Sequence, residues 1–234
     1  MTGFSYSGTE LDALADARNY YEHIRRRFAS HLGAKVVEVG AGIGTFSQYL
    51  LRSPGVQELI AIEPAVNNFP VLRDRFASDR RVTTRQGELR DFADKLVADS
   101  LVAVNVMEHI EDDVSFLRDA RRVLGDSGTL LLFVPALQSI YGTLDEAFDH
   151  YRRYDRSLLH SRLSDAGFGM VRTRYVNMPG IAAWYLAGRV MRRRTLDPRS
   201  VRFYDRFVVP VVAAVEAVIE PPAGQSLLAI ARTR

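Results

Sequence analysis

The chain has 234 residues, 47% of them apolar and 25% charged, and a formal net charge of +3. That length suits one α/β domain with appendages or two small domains, and the apolar share is enough for a full core. Cysteine is absent, which excludes a disulfide framework, a zinc–cysteine site and a cysteine nucleophile.

Lys35 and Lys95 are the only lysines, so the positive charge is nearly all arginine, as a GC-rich genome would encode it. A net charge this small does not point to nucleic acid. The first residues show no basic segment followed by an apolar run, so no signal peptide is expected. No run of about 18 uncharged apolar residues occurs, so no transmembrane helix is expected either. A cytoplasmic protein fits these features.

In chain order, residues 1–8 read as a mobile tail. Residues 9–30 place Leu11, Leu14, Ala15, Tyr20, Tyr21, Ile24 and Phe28 at helical spacing, and Gly33 closes the run. One helix is expected there, beside the first strand. Residues 35–51, KVVEVGAGIGTFSQYLL, read as strand, tight turn and helix, with Gly40, Gly42 and Gly44 at alternate positions. Such a turn ends at a helix N-terminus, where free N–H groups attract an anionic group. The spacing is G-x-G-x-G, with Thr45 where a dinucleotide fingerprint would carry its third glycine. The next apolar run, 59–62, ends in Glu63, placed to accept two hydrogen bonds from ribose hydroxyls.

A helix over 68–78 tolerates Pro70 near its start. Residues 82–86 form a third strand, which leads into a turn carrying Glu88. A helical spell is expected over 91–98 and a fourth strand over 100–106, apolar on both faces. Asp112 or Asp113 caps a helix with Val114, Leu117, Ala120, Val123 and Leu124 on its apolar side. A fifth strand spans 129–134. Alternation of strand and helix implies a parallel sheet, whose ligands sit beyond the strands' carboxyl ends. Residues 40–44, Glu63, Glu88 and 105–109 all fall at those ends.

Residues 136–154 read as a loop rich in polar and aromatic side chains. Asp155 caps a helix through Leu158, Leu159 and Leu163. A sixth strand covers 169–177 and the last covers 226–231. Between them an insert, 178–225, carries helical segments near 181–193 and 200–218. The whole reads as one domain, 1–234: a core of 34–178 and 226–232, with the insert over 179–225.

VEVGAGIGTF resembles the first motif of the class I S-adenosylmethionine-dependent methyltransferases. The Glu63 strand end looks like their ribose acid, and NVMEHIED, residues 105–112, looks like the segment after their fourth strand. The likeness covers 9–178 and the last strand. YGTLDEAFDHYRRY and GQSLLAIAR are similar to a bacterial subgroup often encoded beside, or fused to, glycosyltransferases. The resemblance implies a Rossmann-like seven-stranded sheet, six strands parallel and one antiparallel, with helices on both faces.

It also implies S-adenosylmethionine as cofactor. Glu38, Gly40, Ala41 and Gly42 would line its methionine part. Glu63, followed by Pro64, would hold the ribose. Gly87, Glu88 and Leu89 would border the adenine, although aspartate is common where Glu88 stands. Asn105, with Val106 after it, would offer a carbonyl to the ammonium, and Tyr20 would close over the carboxylate end.

The implied reaction is methyl transfer to an oxygen or nitrogen of a small molecule: a secondary metabolite, a sugar or a lipid-linked acceptor. A hydroxyl or ammonium acceptor needs a base. His109 and His150 are candidates, with Tyr154 beside them, and a structural role for His109 stays open. Tyr141, Tyr151, Arg152, Arg153 and Trp184 are candidate acceptor contacts. The arginines would clamp an anion, or pair with Asp145, Glu146 and Asp149 to pin the loop. No metal is expected. The insert, apolar and arginine-rich, suits a lid, a dimer interface or contact with an anionic membrane. A nicotinamide-dependent oxidoreductase is the competing class, disfavoured by Thr45 and by the lack of a Tyr-x-x-x-Lys pair. A non-catalytic partner of the same fold is a third.

Overall fold

Short aliphatic runs bounded by turns become strands because an extended segment with apolar residues on both faces can be buried on both. The computed structural model describes residues 4–6, 8 and 10–233. Its strands are β1 (Lys35–Val39), β2 (Glu58–Glu63), β3 (Val82–Gln86), β4 (Ser100–Val104), β5 (Thr129–Pro135), β6 (Phe168–Val176) and β7 (Ser226–Thr233). They form one sheet in the order β3-β2-β1-β4-β5-β7-β6. Pairs from β3 to β5 are parallel, and β7 runs antiparallel to both β5 and β6. Six strands therefore share a direction and one opposes them, as expected. The chain moves outward from β1 to β3, then returns to the other side of β1 for β4. That reversal opens a crevice at the carboxyl ends of β1 and β4.

The helices are α1 (Glu10–Leu14), α2 (Arg18–Phe28), α3 (Ser47–Leu50), α4 (Phe69–Phe76), α5 (Asp113–Leu124), α6 (Thr143–Ala147), α7 (Arg156–Asp165), α8 (Met178–Tyr185), α9 (Pro198–Phe203) and α10 (Val209–Val218). Alternate strand residues point to opposite faces. Val37, Val39, Leu101, Ala103, Leu130 and Leu132 pack with Leu117 and Ala120 of α5 and Leu159 and Leu163 of α7. Val36, Val102, Leu131 and Phe133 pack with Ile24 and Phe28 of α2 and Tyr49 and Leu50 of α3.

Several expectations are corrected. The helix over 9–30 is two, α1 and α2, broken at residues 15–17. Ala17 cannot cap α2 with its side chain, and the carboxylate of Asp205 in the insert accepts from the N–H groups of Tyr20 (2.8 Å) and Asn19 (3.2 Å) instead. No helix forms over 91–98. A 3-10 turn, Leu89–Asp91, precedes a single turn in which Lys95 and Leu96 donate to the carbonyl of Phe92. β4 stops at Val104 because Asn105 adopts φ +53°, which turns the chain out of the sheet. The loop 136–154 contains a 3-10 turn (Gln138–Ile140) and α6. In the insert, α9 and α10 join through a widened π-type turn, Tyr204–Val208. Pro210 lacks an N–H and would crowd the carbonyl four residues back, and the wider turn accommodates it.

The described part of the expected mobile tail is tied down. Val66 donates to the carbonyl of Phe4 (2.8 Å), Tyr6 N–H to Asn67 Oδ1 (3.0 Å), and Asn67 Nδ2 to the carbonyl of Tyr6 (2.9 Å).

Candidate active site

The floor of the crevice is mostly backbone. Gly40, Gly42 and Gly44 have φ of +67°, +56° and +82°, conformations that glycine adopts at little cost. A Cβ at Gly40 would stand 2.6 Å from Val106 Cγ2, so the turn needs glycine there for space as well as for conformation. Glu63 ends β2, and its carboxylate accepts from Gly42 N–H (2.8 Å) and Ala65 N–H (3.0 Å). The acid thereby fixes the turn. Its Oε1 also accepts from Asn68 Nδ2 (3.5 Å), while Oε2 keeps a second acceptor position. Burial raises the Glu63 pKa, and the bonds from Ala65, Gly42 and Asn68 oppose the rise. Glu38, buried in β1, accepts from the Ser47 hydroxyl (2.5 Å). Burial pushes its carboxyl up to about 8, with the neighbouring Glu63 adding to the rise.

Two further segments complete this side. Asn105 Nδ2 donates to the hydroxyl of Tyr20 (3.0 Å), which packs edge-on against Phe133. Burial raises the Tyr20 phenol above its ordinary value. Gly87 N–H donates to the carbonyl of Glu63 (3.2 Å), and Leu89 is buried beyond it. The Glu88 carboxylate is exposed and paired with Arg90 (2.8 Å).

The opposite wall is assembled around Asp145, which is fully buried. Its Oδ1 accepts from Arg153 (2.8 Å) and faces His150 Nδ1 (2.9 Å). Its Oδ2 accepts from Trp184 Nε1 (2.9 Å) and Gly142 N–H (3.0 Å). Burial opposes ionisation of Asp145, but His150, Arg153 and Trp184 together hold its carboxyl below the usual range. His150 and His109 meet edge to face with ring centroids 4.8 Å apart. Burial, aided by the His150 ring, pushes His109 down to about 3. Tyr6 also packs edge-on against His109.

A cavity of about 960 Å³ lies between these walls. Tyr20, Glu38, Gly40, Ala41, Gly42, Glu63, Pro64, Gly87, Glu88, Leu89, Asn105 and Val106 all line it, as do His109, His150, Tyr151 and Trp184. Phe4 and Tyr6 line it too, although the sequence reading gave them no role.

Four of the expected site residues lie outside the lining. Tyr154 is buried, with its hydroxyl donating to Asp113 (3.0 Å) and lying 3.2 Å from the carbonyl oxygen of Met107, and burial raises its pKa. Arg152 is held by Asp113 (2.8 Å) and the carbonyls of Ile110 and Glu111. Arg153 pairs with Asp145 and donates to the carbonyls of Ala136 (2.6 Å) and Gln225 (2.9 Å). Tyr141 donates to the carbonyl of His150 (2.7 Å). A guanidinium taken out of water requires such partners. These arginines pin the loop, with Asp113 as one anchor in place of Glu146 and Asp149.

Among the described residues, Glu108, His109 and His150 bring one ligand atom each within 4.8 Å of one another. Their separation in sequence hid this cluster. His150 Nδ1 is engaged by Asp145, so its Nε2 is the atom left for chemistry.

The insert roofs the site through acids that sequence reading passed over. Asp205 caps α2, as described above. Glu216, buried in α10, contacts His23 Nε2 (3.2 Å) and accepts from Asn177 N–H (2.7 Å), while its carbonyl accepts from Arg27 and Arg174. The available signal was an isolated acid in an apolar helix, which is buried only when partnered.

A profile of the methyltransferase domain family matches residues 13–173. The chain is 27% identical over 115 residues to the ubiquinone biosynthesis O-methyltransferase of Azorhizobium caulinodans, which spans 48% of this chain and 45% of that protein. It is 29% identical over 150 residues to methyltransferase GfsG of Streptomyces halstedii, which spans 62% of this chain and 52% of that protein. The chain thus spans about half the length of the curated relatives it matches. Its fold is similar to that of a solved SAM-dependent methyltransferase, possible histamine N-methyltransferase, from Thermotoga maritima. The TM-score is 0.64 at 17% identity, covering 96% of this chain and 94% of that one.

Proposed function

The chain belongs to the methyltransferase domain family, with the Rossmann-like class I fold, and from that premise we propose that it transfers a methyl group from S-adenosylmethionine to a hydroxyl or amine of a small molecule. The observation that carries this reading is one cavity with two kinds of wall: a glycine turn braced by Glu63 on one side, the His109–His150 pair on the other. Family membership sets the nicotinamide reading aside.

The floor fits such a nucleoside. A side chain at Gly40 would collide with Val106, so the turn leaves its surface to a ligand. The spare acceptor position on Glu63 Oε2 suits a ribose hydroxyl. The rim at Gly87 and Leu89 suits a flat base, and Tyr20 with Asn105 closes the end where an amino-acid tail would lie. When bound, S-adenosylmethionine supplies a methyl group on a sulfonium, with a neutral thioether as leaving group.

The chain's own task is to hold the acceptor in line, keep water out and take one proton. His150 is our candidate base. Asp145 orients its Nδ1 at 2.9 Å, which leaves Nε2 as the accepting atom. His109, pushed down to about 3, is too weak a base for that step and packs His150 in place. The acceptor wall of Leu144, Phe148, Tyr151, Ala183 and Trp184 is aromatic and apolar. It suits an acceptor with an apolar body and one hydroxyl; the arginines expected to clamp an anion, Arg152 and Arg153, are held by Asp113 and Asp145. The A. caulinodans relative is named an O-methyltransferase, in keeping with an oxygen acceptor. No helix among the described residues is long and apolar enough to cross a membrane, and cytoplasmic S-adenosylmethionine would be within reach.

The test is release of S-adenosylhomocysteine in the presence of phenolic, glycosidic and amine acceptors. Acceptor-dependent release that His150→Gln lowers about a hundredfold or more supports the reading. Release equal with and without every acceptor, or a thermal shift with NAD alone, would overturn it.

A further inference from the structure

Among the described residues, eleven of the sixteen exposed large apolar side chains lie in the insert, between Met178 and Ile219. The remaining five, Phe4, Val66, Val71, Val97 and Tyr151, lie outside it. Along the rod formed by α9, the π-type turn and α10, one face carries Phe203, Phe207, Val211, Val215 and Val218, each 53% to 87% exposed. Their spacing of four, four, four and three residues forms a single stripe. Asp205, Val209, Val212 and Glu216 of the same rod are buried against the body. The stripe is therefore a true outer face, unpartnered in the monomer, and larger than isolated exposure explains.

Charge says what covers it. Residues 178–225 hold seven arginines (189, 192, 193, 194, 199, 202 and 206) and four acids. The acids are held: Asp205 and Glu216 are buried, Glu220 pairs with Arg156, and Asp197 accepts from the N–H groups of Arg199 and Ser200. Among the described residues none of those seven arginines forms an ion pair, whereas Arg152, Arg153 and Arg156 do. An apolar stripe bordered by arginines that have no paired acid is complementary to an anionic lipid surface. It is poorly matched to a second copy of itself, which would bring arginine rows together.

The geometry points to this face as a docking surface for an anionic membrane, on which the insert lies without crossing. Phe203 and Phe207, with ring centroids 5.1 Å apart, form its deepest wedge, and Arg199, Arg202 and Arg206 meet the headgroups. The docked face also borders the cavity, whose rim includes Arg193, Leu196 and Val201. Docking would therefore set the mouth of the cavity beside the bilayer. This inference does not depend on the acceptor or on His150.

The experiment is flotation with vesicles of equal parts phosphatidylglycerol and phosphatidylcholine, against vesicles of phosphatidylcholine alone. The expected result is co-flotation with the anionic vesicles only, weakened by high salt. A double variant, Phe203→Ser with Phe207→Ser, and a charge variant, Arg199→Glu with Arg202→Glu, should each lower binding about tenfold or more. Neither should change the affinity for S-adenosylhomocysteine, which reports an intact fold, since none of these side chains lines the cavity. No binding to anionic vesicles, or equal flotation of wild type and both variants, would overturn the inference. So would a dimer in light scattering that Phe207→Ser dissolves, which would assign the face to a second copy.

Discussion

The two walls of the cavity differ in how they are made. The floor beneath β1, β2 and β4 is backbone: positive-φ glycines, N–H groups held by Glu63, and a left-handed Asn105. The opposite wall is made of side chains brought from afar, with Trp184 reaching Asp145 from 39 residues away. The first wall is written in contiguous stretches and can serve any acceptor. The second is written across the chain and can be altered without unmaking the sheet. On such a fold, the cofactor belongs to the scaffold and the acceptor to its attachments.

The largest expected effect breaks the side-chain wall. Asp145→Ala leaves the buried Arg153 without its counter-ion. Chemical denaturation should record a loss of about 3–5 kcal/mol. A loss below about 1 kcal/mol would mean that the wall does not depend on this hub.

His150→Gln should separate the walls functionally. Turnover should fall roughly a hundredfold to a thousandfold, as loss of a general base does, while S-adenosylhomocysteine binds as before. Equal loss of both would place His150 in the cofactor half. Gly40→Ala is the mirror experiment. A left-handed alanine facing Val106 costs about 1–3 kcal/mol. S-adenosylhomocysteine affinity should drop roughly tenfold to a hundredfold by calorimetry, with the Asp145 network unaffected.

Glu38 offers a smaller test, in pH. Its folded pKa, about 8, lies above the ordinary 4.5, so the native state holds the proton more tightly than the unfolded chain. That contribution to stability is full below pH 4.5 and is lost as the pH rises through 8. Glu38→Gln should flatten the decline in unfolding free energy across that window, and an unchanged slope would contradict the assignment. The smallest expected effect is from chelation. If His150 is a base, EDTA should leave turnover unchanged. Activity lost to EDTA and restored by a divalent cation would convert Glu108, His109 and His150 into ligands.

These differences also explain what could be read before folding. The strands, the glycine turn and Glu63 were legible because short apolar runs and a tight turn are local properties. Their convergence followed from the rule that ligands sit beyond the strands' carboxyl ends. The break between α1 and α2 was not legible, because the cap that starts α2 is Asp205, 186 residues from Asn19. Arg152 and Arg153 looked like acceptor contacts, and Tyr154 like a catalytic candidate, because polar residues on a long loop usually face solvent or ligand. The fold turns them inward, onto Asp113 and Asp145, where buried acids needed partners. His109 and His150 were each visible as candidates, whereas their meeting depended on topology.

The most direct test of the central claim is calorimetric titration of the purified protein with S-adenosylhomocysteine. The account predicts saturable binding at a single site, weakened by Gly40→Ala and untouched by His150→Gln. Absence of heat up to millimolar ligand, or binding that His150→Gln abolishes and Gly40→Ala leaves intact, would contradict it.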